Sequence, residues 1–188
     1  MRKRNTGLSM IEILLAITIL AVLLMNSNFP GFAYSKEQKL IHSVMNDIVS
    51  AIAMARMAAV NEGTMVTFCR SNDGINCQGK WHEGSIIFTD RNADRIINED
   101  DRLLYRLNTI KADGELTFRS FRNRQYLQFT PRGITNYQNG NFTFCPHDGE
   151  LTLAQQVIVS LTGRTRFAKD KDGDQVVENS RGQPLECD

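Results

Sequence analysis

The sequence predicts an α+β fold in which one long N-terminal helix packs on antiparallel β-sheets. An apolar run covers residues 8–25, a stripe of apolar side chains repeats at helical spacing over 35–62, and short β-type segments fill 64–167. No helical pattern within 64–167 is long enough for the crossovers that parallel strands require. The strands are therefore expected to pair antiparallel behind the helix.

The apolar run is long enough to cross a membrane and is interrupted only by Ser9, Glu12 and Thr18. Eighteen helical residues rise about 27 Å, close to the thickness of the hydrocarbon core. The basic residues at positions 2–4 form the flank that stays cytoplasmic under the positive-inside rule. A carboxylate such as Glu12 costs about 3 kcal/mol in an inserted helix, so a functional partner is expected for it.

The stretch Gly7-Leu8-Ser9-Met10-Ile11-Glu12 resembles the type III signal of type IV pilins and type II secretion pseudopilins. In that signal a short basic leader ends in Gly, and Glu is the fifth residue of the mature protein. An ordinary signal peptide and a plain membrane anchor are the alternatives. Residues 21–27 fit the small residues of an ordinary cleavage site poorly.

The resemblance implies a processing route and a location. Prepilin peptidase would remove the leader, residues 1–7, after Gly7, and the amine of Leu8, where the family usually has Phe, would be methylated. Residues 8–29 would form a single inner-membrane helix, and 30–188 would form a periplasmic domain that is assembled into a pilus at the cell surface. Glu12 would pair with the N-terminal amine of an adjacent pilin subunit during assembly.

The charge balance limits the classes of partner. The formal net charge is +1, and removing the three basic residues of the leader leaves −2. The mature chain is not globally basic, so an anionic partner requires a local basic patch. The three histidines have no serine or cysteine partner at a recognised catalytic spacing, and no phosphate-binding glycine loop is present. The sequence therefore predicts neither an enzyme nor a cofactor.

Four cysteines lie in the part of the chain expected outside the cytoplasm, where disulfides form. Three pairings are possible, and nearness in sequence favours Cys69 with Cys77 and Cys145 with Cys187. The second bridge would fix an otherwise loose C-terminus. A zinc site is the alternative, but the sequence has no C-x2-C pair.

Helix and strands are predicted as follows. Residues 26–31 contain Pro30 and Gly31 and predict a kink or an unwound turn. An amphipathic helix is predicted over 35–62, with Gly63 ending it. The segments with β character are Thr64–Arg70, Ser85–Thr89, Arg102–Leu107, Leu116–Phe121, Tyr126–Thr130, Phe142–Cys145 and Gln156–Leu161, followed by a C-terminal tail.

The order of these features narrows the resemblance. A helix that ends at Gly63 leads into a strand with Cys69, and then come Cys77, Trp81 and the strand 84–90. This order is similar to that of the GspH/FimT group of minor pseudopilins and pilins. The resemblance covers most of the chain from the leader to about residue 107 and implies a type IV pilin-like fold. It does not decide which machine the subunit serves.

Basic residues concentrate in the C-terminal half. Seven arginines and lysines interleave with aromatic residues over 102–132, and Gly163-Arg164-Thr165-Arg166 follows the strand that ends at Leu161. In an extended chain Arg164 and Arg166 project to one side, so two guanidinium groups on this mobile segment can grip successive phosphates. The predicted DNA-binding set is Gly163, Arg164, Arg166, Lys169, Lys171, Arg119, Arg122 and Arg124.

The segment Gly163–Arg166 matches the Gly-Arg-x-Arg motif of FimT-like pilins, a branch associated with DNA binding during natural transformation (competence). The resemblance implies a double-stranded DNA partner, bound through phosphates and therefore without sequence preference. A solvated or salt-bridged arginine face is the structural alternative. A structural pseudopilin of a type II secretion system, or a pilin that only primes assembly, is the functional one.

Two acidic loops raise the question of calcium and of a calcium-stabilised adhesin. Residues 90–101 alternate oxygen-bearing side chains, but Arg95 occupies the position where a calcium-binding loop needs glycine. Residues 170–174 form a second acidic loop with Lys171 inside it. Polar turns are the favoured interpretation of both, so no metal is predicted.

Overall fold

The computed structural model describes the backbone of residues 9–25 and 30–187. The chain divides into two compact units, Met1–Glu37 and Gln38–Asp188. Each unit is described by itself below. The buried core side chains of the described residues and both disulfides lie between Ile41 and Cys187, so the second unit has what a domain needs to fold on its own.

Helix α1 (Met10–Met25) lies in the first unit and exposes its large apolar side chains. The Ser9 carbonyl accepts the backbone N–H groups of Glu12 and Ile13 at the start of the helix. The exposed Glu12 lies in the first helical turn. The predicted processing site at Gly7 and Leu8 lies outside the described residues.

Helix α2 (Pro30–Glu62) begins earlier than the sequence predicted. Residues 26–29 of the predicted break lie outside the described part, but Pro30 and Gly31 are helical. Proline is favoured at the first helical position because its missing N–H is not needed there, which explains why it does not interrupt this helix. Gly63 follows the last turn with φ +63°.

The C-terminal part of α2 presents its apolar stripe to the core of the second unit. Ile41, Met45, Ile52 and Ala55 are each at most 1 % exposed. By length and hydropathy, one helical stretch among the described residues, Lys36–Glu62, could cross a membrane, but it is this core-packing helix. Met10–Val22 is a shorter apolar helix.

In the part of the chain that the structure describes, eight strands form two four-stranded antiparallel sheets, as the fold prediction requires. The first sheet has the order β3-β2-β1-β5 and the second the order β4-β6-β7-β8. Their bounds are β1 Val66–Arg70, β2 Ser85–Thr89, β3 Leu103–Leu107, β4 Gly114–Ser120, β5 Tyr126–Phe129, β6 Gly140–Pro146, β7 Gln155–Val159 and β8 Thr165–Phe167.

An aromatic cluster joins the two sheets in the core. The ring centroid of Phe142 lies 4.3 Å from that of Phe118, 4.9 Å from Trp81 and 6.0 Å from Phe68. Trp81 also donates its indole N–H to Gln125 Oε1 at 3.1 Å. Because this polar group is paired, the indole is buried without leaving an unsatisfied hydrogen-bond donor.

The structure contains the two disulfides that nearness in sequence favoured, Cys69–Cys77 and Cys145–Cys187. The second bridge spans 42 residues and attaches the C-terminal tail to β6. Leu185, two residues before the final cysteine, is buried. The tail is therefore packed against the second sheet.

Candidate nucleic-acid interface

The Gly-Arg-Thr-Arg segment is the hairpin between β7 and β8. Ser160 N–H donates to the Arg164 carbonyl and Gly163 N–H donates to the Ser160 carbonyl, both at 2.9 Å. Gly163 is buried with φ +73°, and a Cβ there would lie 3.0 Å from Cε1 of Phe129. The sequence prediction of a mobile segment is wrong here, because backbone pairing with β7 holds the segment as an edge strand.

Arg164 and Arg166 are exposed, while Thr165 and Phe167 between and after them are half-buried. This alternation places the two guanidinium groups on the solvent side of the strand. Neither side chain forms a hydrogen bond or an ion pair with any residue that the structure describes. Within the described residues Asp170 forms no ion pair with either arginine, and its carboxylate accepts the backbone N–H groups of Gly173 and Gln175 in its own loop.

The register of the second sheet aligns Arg166 with Arg119. Arg166 pairs with Ile158, Ile158 with Asn141, and Asn141 with Arg119. Directly paired residues of neighbouring strands project from the same face, so both arginines lie on the outer face of this sheet. Three strand spacings of about 4.8 Å separate the two strands by about 14 Å.

One end of the second sheet collects most of the predicted site residues. It is defined by the cross-strand row Ser120, Gly140, Val159 and Thr165, and we call it the arginine end. Arg119 and Arg166 each lie one residue from this row, and Arg164 lies in the hairpin beyond it. Arg122 and Arg124 belong to the connection that leaves β4 at the same end.

The connection after β4 holds its two arginines differently. Arg122 has a left-handed backbone (φ +59°), is exposed and lies with its guanidinium 5.4 Å from the ring centroid of Phe121. Arg124 is half-buried, and its carbonyl accepts the Ser120 hydroxyl at 2.6 Å. Arg122 is thus the more accessible of the two for an anionic ligand.

Three further arginines approach the same surface and were not in the predicted set. Arg56 of α2 lines a cavity of about 560 Å³ together with Gly163 and Arg164. Arg132 precedes Gly133, and the carbonyl oxygen of Gly133 lies next to Gly163. A Cβ added at position 163 would be 3.3 Å from that oxygen. Arg181 of the tail lines another cavity, of about 580 Å³, with Arg119. Arg132 was part of the basic run, but nothing in the sequence links Arg56 or Arg181 to this hairpin.

Lys169 and Lys171 lie toward the opposite end of β8, among carboxylates. The backbone N–H of the buried Glu178 donates to the Lys169 carbonyl at 3.2 Å, and the backbone N–H of Lys171 donates to Glu178 Oε1 at 2.9 Å. The N–H of Gly173 lowers the pKa of the neighbouring Asp170 carboxyl, which keeps it ionised. The opposite end also carries Asp113, Glu115, Asp148, Glu150, Asp172 and Asp174. The second sheet is therefore positive at one end and negative at the other.

The two acidic loops are organised as hydrogen-bonded turns. Asp90 is fully buried and accepts the Thr67 hydroxyl and the Gln128 side-chain amide. Among the described residues, the only carboxylate group compact enough to hold a cation is the exposed set Asp170, Asp172 and Asp174. An exposed acidic cluster is common without an ion, so it supports no metal site.

Comparison with known proteins identifies related folds. The family model described as type II transport protein GspH matches residues 44–163. A crystal structure of the type IV minor pilin FimU of Pseudomonas aeruginosa (strain PAO1) superimposes with a TM-score of 0.55 at 19 % identity, covering 71 % of this chain and 91 % of FimU. A second crystal form of FimU gives a TM-score of 0.51 at 18 % identity, with 68 % and 92 % covered.

A third similar structure is the minor pseudopilin EpsH from the type 2 secretion system of Vibrio cholerae. Its TM-score is 0.46 at 12 % identity, covering 65 % of this chain and 90 % of EpsH. A comparison with curated protein sequences gave no significant match. The FimU structures carry the fold comparison.

Proposed function

Because this chain belongs to the GspH family, whose model matches more than half of its residues, we propose that it is a minor pilin that binds DNA for uptake in natural transformation. Membership makes it a minor pilin or pseudopilin, a structural subunit class rather than an enzyme class. DNA binding is the finer assignment. The observation that carries it is the pair of exposed arginines, Arg164 and Arg166, without carboxylate partners among the described residues.

The arrangement at the arginine end suits a phosphate backbone. Guanidinium groups form bidentate, charge-assisted hydrogen bonds with phosphate oxygens. The separation of about 14 Å between the strands of Arg119 and Arg166 is similar to the width of the major groove of duplex DNA, about 12 Å. Arginines on the two edges of the sheet can therefore contact phosphates on both sides of one groove. Such contacts carry no base information, so binding is independent of sequence.

The residues have graded roles in this proposal. Arg164 and Arg166 are the main phosphate contacts, and Gly163 shapes the turn that presents them. Arg119, Arg122 and Arg124 extend the positive surface along the arginine end. Lys169 and Lys171 contribute less, because their phosphate attraction is offset by the three neighbouring carboxylates of residues 170–174.

The test is a duplex-DNA titration of residues 38–188 carrying Arg164→Ala and Arg166→Ala. We expect duplex binding to weaken by about tenfold per arginine, the factor for losing about 1.5 kcal/mol of a charge-assisted hydrogen bond. The slope of log K against log salt should fall by about 2 units, because two phosphate contacts are lost. Fluorescence anisotropy between about 50 and 200 mM salt measures both quantities.

The matched control is Lys169→Ala with Lys171→Ala, which removes the same charge from the other end of β8. This pair should change the affinity by less than about threefold, since the carboxylates of Asp170, Asp172 and Asp174 nearby also repel phosphate. Equal losses for the two pairs would mean that net charge, and not the arginine end, determines binding. If the unchanged domain binds no duplex at about 50 mM salt, the DNA proposal is wrong.

A purely structural pseudopilin of a type II secretion system is the second candidate. It is favoured by the description of the matching family, type II transport protein. A subunit of this kind would need only contacts to other pilin subunits, with the arginine end as a solvated or protein-facing surface. Absence of DNA binding together with loss of secretion in a deletion strain would favour it.

The N-terminal assignments belong to the same proposal. We propose that prepilin peptidase cleaves after Gly7, that Leu8 is then methylated, and that α1 anchors the periplasmic domain in the inner membrane as a single span. The exposed apolar side chains of α1 support this, because such a surface is stable only in lipid or against other helices. Minor pilins assemble with other pilin subunits, so in a filament α1 would pack against the helices of neighbouring subunits instead of lipid.

Replacing Glu12 by alanine is expected to reduce incorporation into filaments by about tenfold or more, while the protein still inserts into the membrane. Removing the carboxylate takes away the proposed partner of a neighbouring N-terminal amine, and it also removes the cost of about 3 kcal/mol for an inserted charge. Quantitative immunoblots of sheared filaments and of membranes measure the two pools. Ser9→Ala is the control, and normal incorporation of the Glu12 variant would refute this role.

A further inference from the structure

Two large aromatic side chains at the arginine end contribute little to the fold. Tyr137 is 84 % exposed and Phe121 is 60 % exposed. The other phenylalanines of the interleaved basic segment, Phe118 and Phe129, are buried in the core. Tyr126 is half-buried, with the Arg95 guanidinium 4.9 Å from its ring centroid. The structure thus separates core aromatics from a pair that faces solvent.

The backbone places both rings at the arginine end, Phe121 at its β4 edge and Tyr137 beside the arginine hairpin. Phe121 directly follows Ser120, a member of the row that defines the arginine end. Tyr137 lies in the connection between β5 and β6, two residues after Thr135. The N–H of Thr135 donates to the carbonyl of Leu161 in the β7–β8 hairpin at 3.0 Å. The connection of Tyr137 and the hairpin of Arg164 are therefore in direct contact.

Tyr137 lies on left-handed backbone, and Phe121 lies next to a left-handed segment. Tyr137 itself has φ +57°, and Phe121 is followed by Arg122 and Asn123 with φ +59° and +52°. The left-handed region is costly for a bulky residue, and no burial of the Tyr137 side chain offsets that cost. Backbone strain of this kind concentrates at binding sites, where the surrounding structure maintains it for a function.

We propose that the arginine end also binds single-stranded DNA, with unpaired bases stacked on Tyr137 and Phe121 while Arg164 and Arg166 hold the phosphates. Exposed aromatic side chains within a positive surface form the general recognition mode for single strands. In duplex DNA the base faces are already stacked, so the rings have no access to them. This inference rests on the proposed DNA binding and adds the class of DNA that uses the rings.

The test compares a single strand of about 16 nucleotides with a duplex of equal length on residues 38–188. Tyr137→Gly and Phe121→Ala should each weaken single-strand binding by about tenfold. Duplex binding should change by less than about twofold, because phosphate contacts are retained. Glycine suits φ +57° at position 137, so the first variant keeps the fold while removing the ring.

Two further variants sharpen the comparison. Tyr137→Trp keeps a stacking surface and should retain single-strand affinity. Tyr105→Ala removes a tyrosine that is 46 % exposed on β3 of the other sheet, and it should affect neither ligand. Equal losses on both ligands, or unchanged single-strand affinity in the Tyr137 and Phe121 variants, would overturn the inference.

The outcomes separate this inference from the function on which it rests. If Arg164→Ala and Arg166→Ala weaken duplex binding but the ring variants leave single-strand binding unchanged, the proposal of DNA binding is supported and the proposal of base stacking is wrong. If the ring variants instead lower filament incorporation with unchanged DNA affinities, the rings contact another pilin subunit. If the unchanged domain binds neither ligand, both proposals fall.

Discussion

Replacing Phe142 by alanine is expected to lower the free energy of unfolding of residues 38–188 by about 3–5 kcal/mol. Phe142 is fully buried on the inner face of β6, and its ring contacts those of Phe118, Trp81 and Phe68. The substitution removes the ring at the centre of this cluster. Partners from both sheets would then border a cavity that the backbone of paired strands cannot close.

Urea unfolding followed by Trp81 fluorescence measures this change, because the indole lies in the cluster. Phe121→Ala is the matched control: the same atoms are deleted from a ring that is 60 % exposed, so a change within about 0.5 kcal/mol is expected. A loss below about 1.5 kcal/mol for the Phe142 variant would mean that the cluster relaxes around the missing ring and does not join the sheets as described.

The sequence was sufficient to predict the helices and strands whose apolar residues recur at a regular spacing. The apolar stripe from Ile41 to Ala59 predicted the core-facing side of α2, and alternating segments predicted the strands from β1 to β7 within a few residues. Pro30, the fifth residue of the predicted break, was misjudged because proline both breaks and begins helices, and sequence alone does not separate the two uses. Strand β8 was missed because three residues, Thr165-Arg166-Phe167, are too few to show an apolar alternation.

The candidate site was predictable only where its residues adjoin in sequence. Arg164 and Arg166 form one motif, whereas their alignment with Arg119 depends on the strand order β4-β6-β7-β8, which no local pattern encodes. Lys169 and Lys171 were included in the predicted set because they are close to this motif in sequence. A short strand runs between the two ends of a sheet, so residues five apart in sequence belong to surfaces of opposite charge.

The exposed rings show the reverse case. Interleaved aromatics over 102–132 were visible in the sequence, but burial alone distinguishes Phe121 from Phe118. Tyr137 lies outside that run and reaches the site through the contact of Thr135 with Leu161. Tyr137 has a left-handed backbone, but because the residue is not glycine the sequence does not indicate this conformation. This part of the surface is therefore determined by long-range contacts and by local backbone strain. Neither of these can be detected from the periodicity of apolar residues in the sequence.

Replacing Cys145 and Cys187 together by alanine is expected to lower the free energy of unfolding by up to about 4 kcal/mol. The bridge closes a loop of 42 residues, and the chain-entropy relation gives about that value for such a loop. The same change should release the tail from the second sheet, because the tail has few other anchors, chiefly the buried Leu185 and Glu178. Urea unfolding of residues 38–188 measures the first effect.

Limited trypsin digestion measures the second effect and locates it. Cleavage after Arg181, in the tail, should become about tenfold faster or more in the double variant. Without the bridge the tail is detached from the sheet for a larger fraction of the time, and trypsin cleaves the detached form. Cleavage after Lys80, outside the released segment, should keep its rate and serves as the internal control. Because Arg164 and Arg166 lie on β8 and its hairpin, upstream of the tail, duplex affinity should fall only by the share of Arg181. Unchanged cleavage after Arg181 would show that Leu185 and Glu178 hold the tail without the bridge.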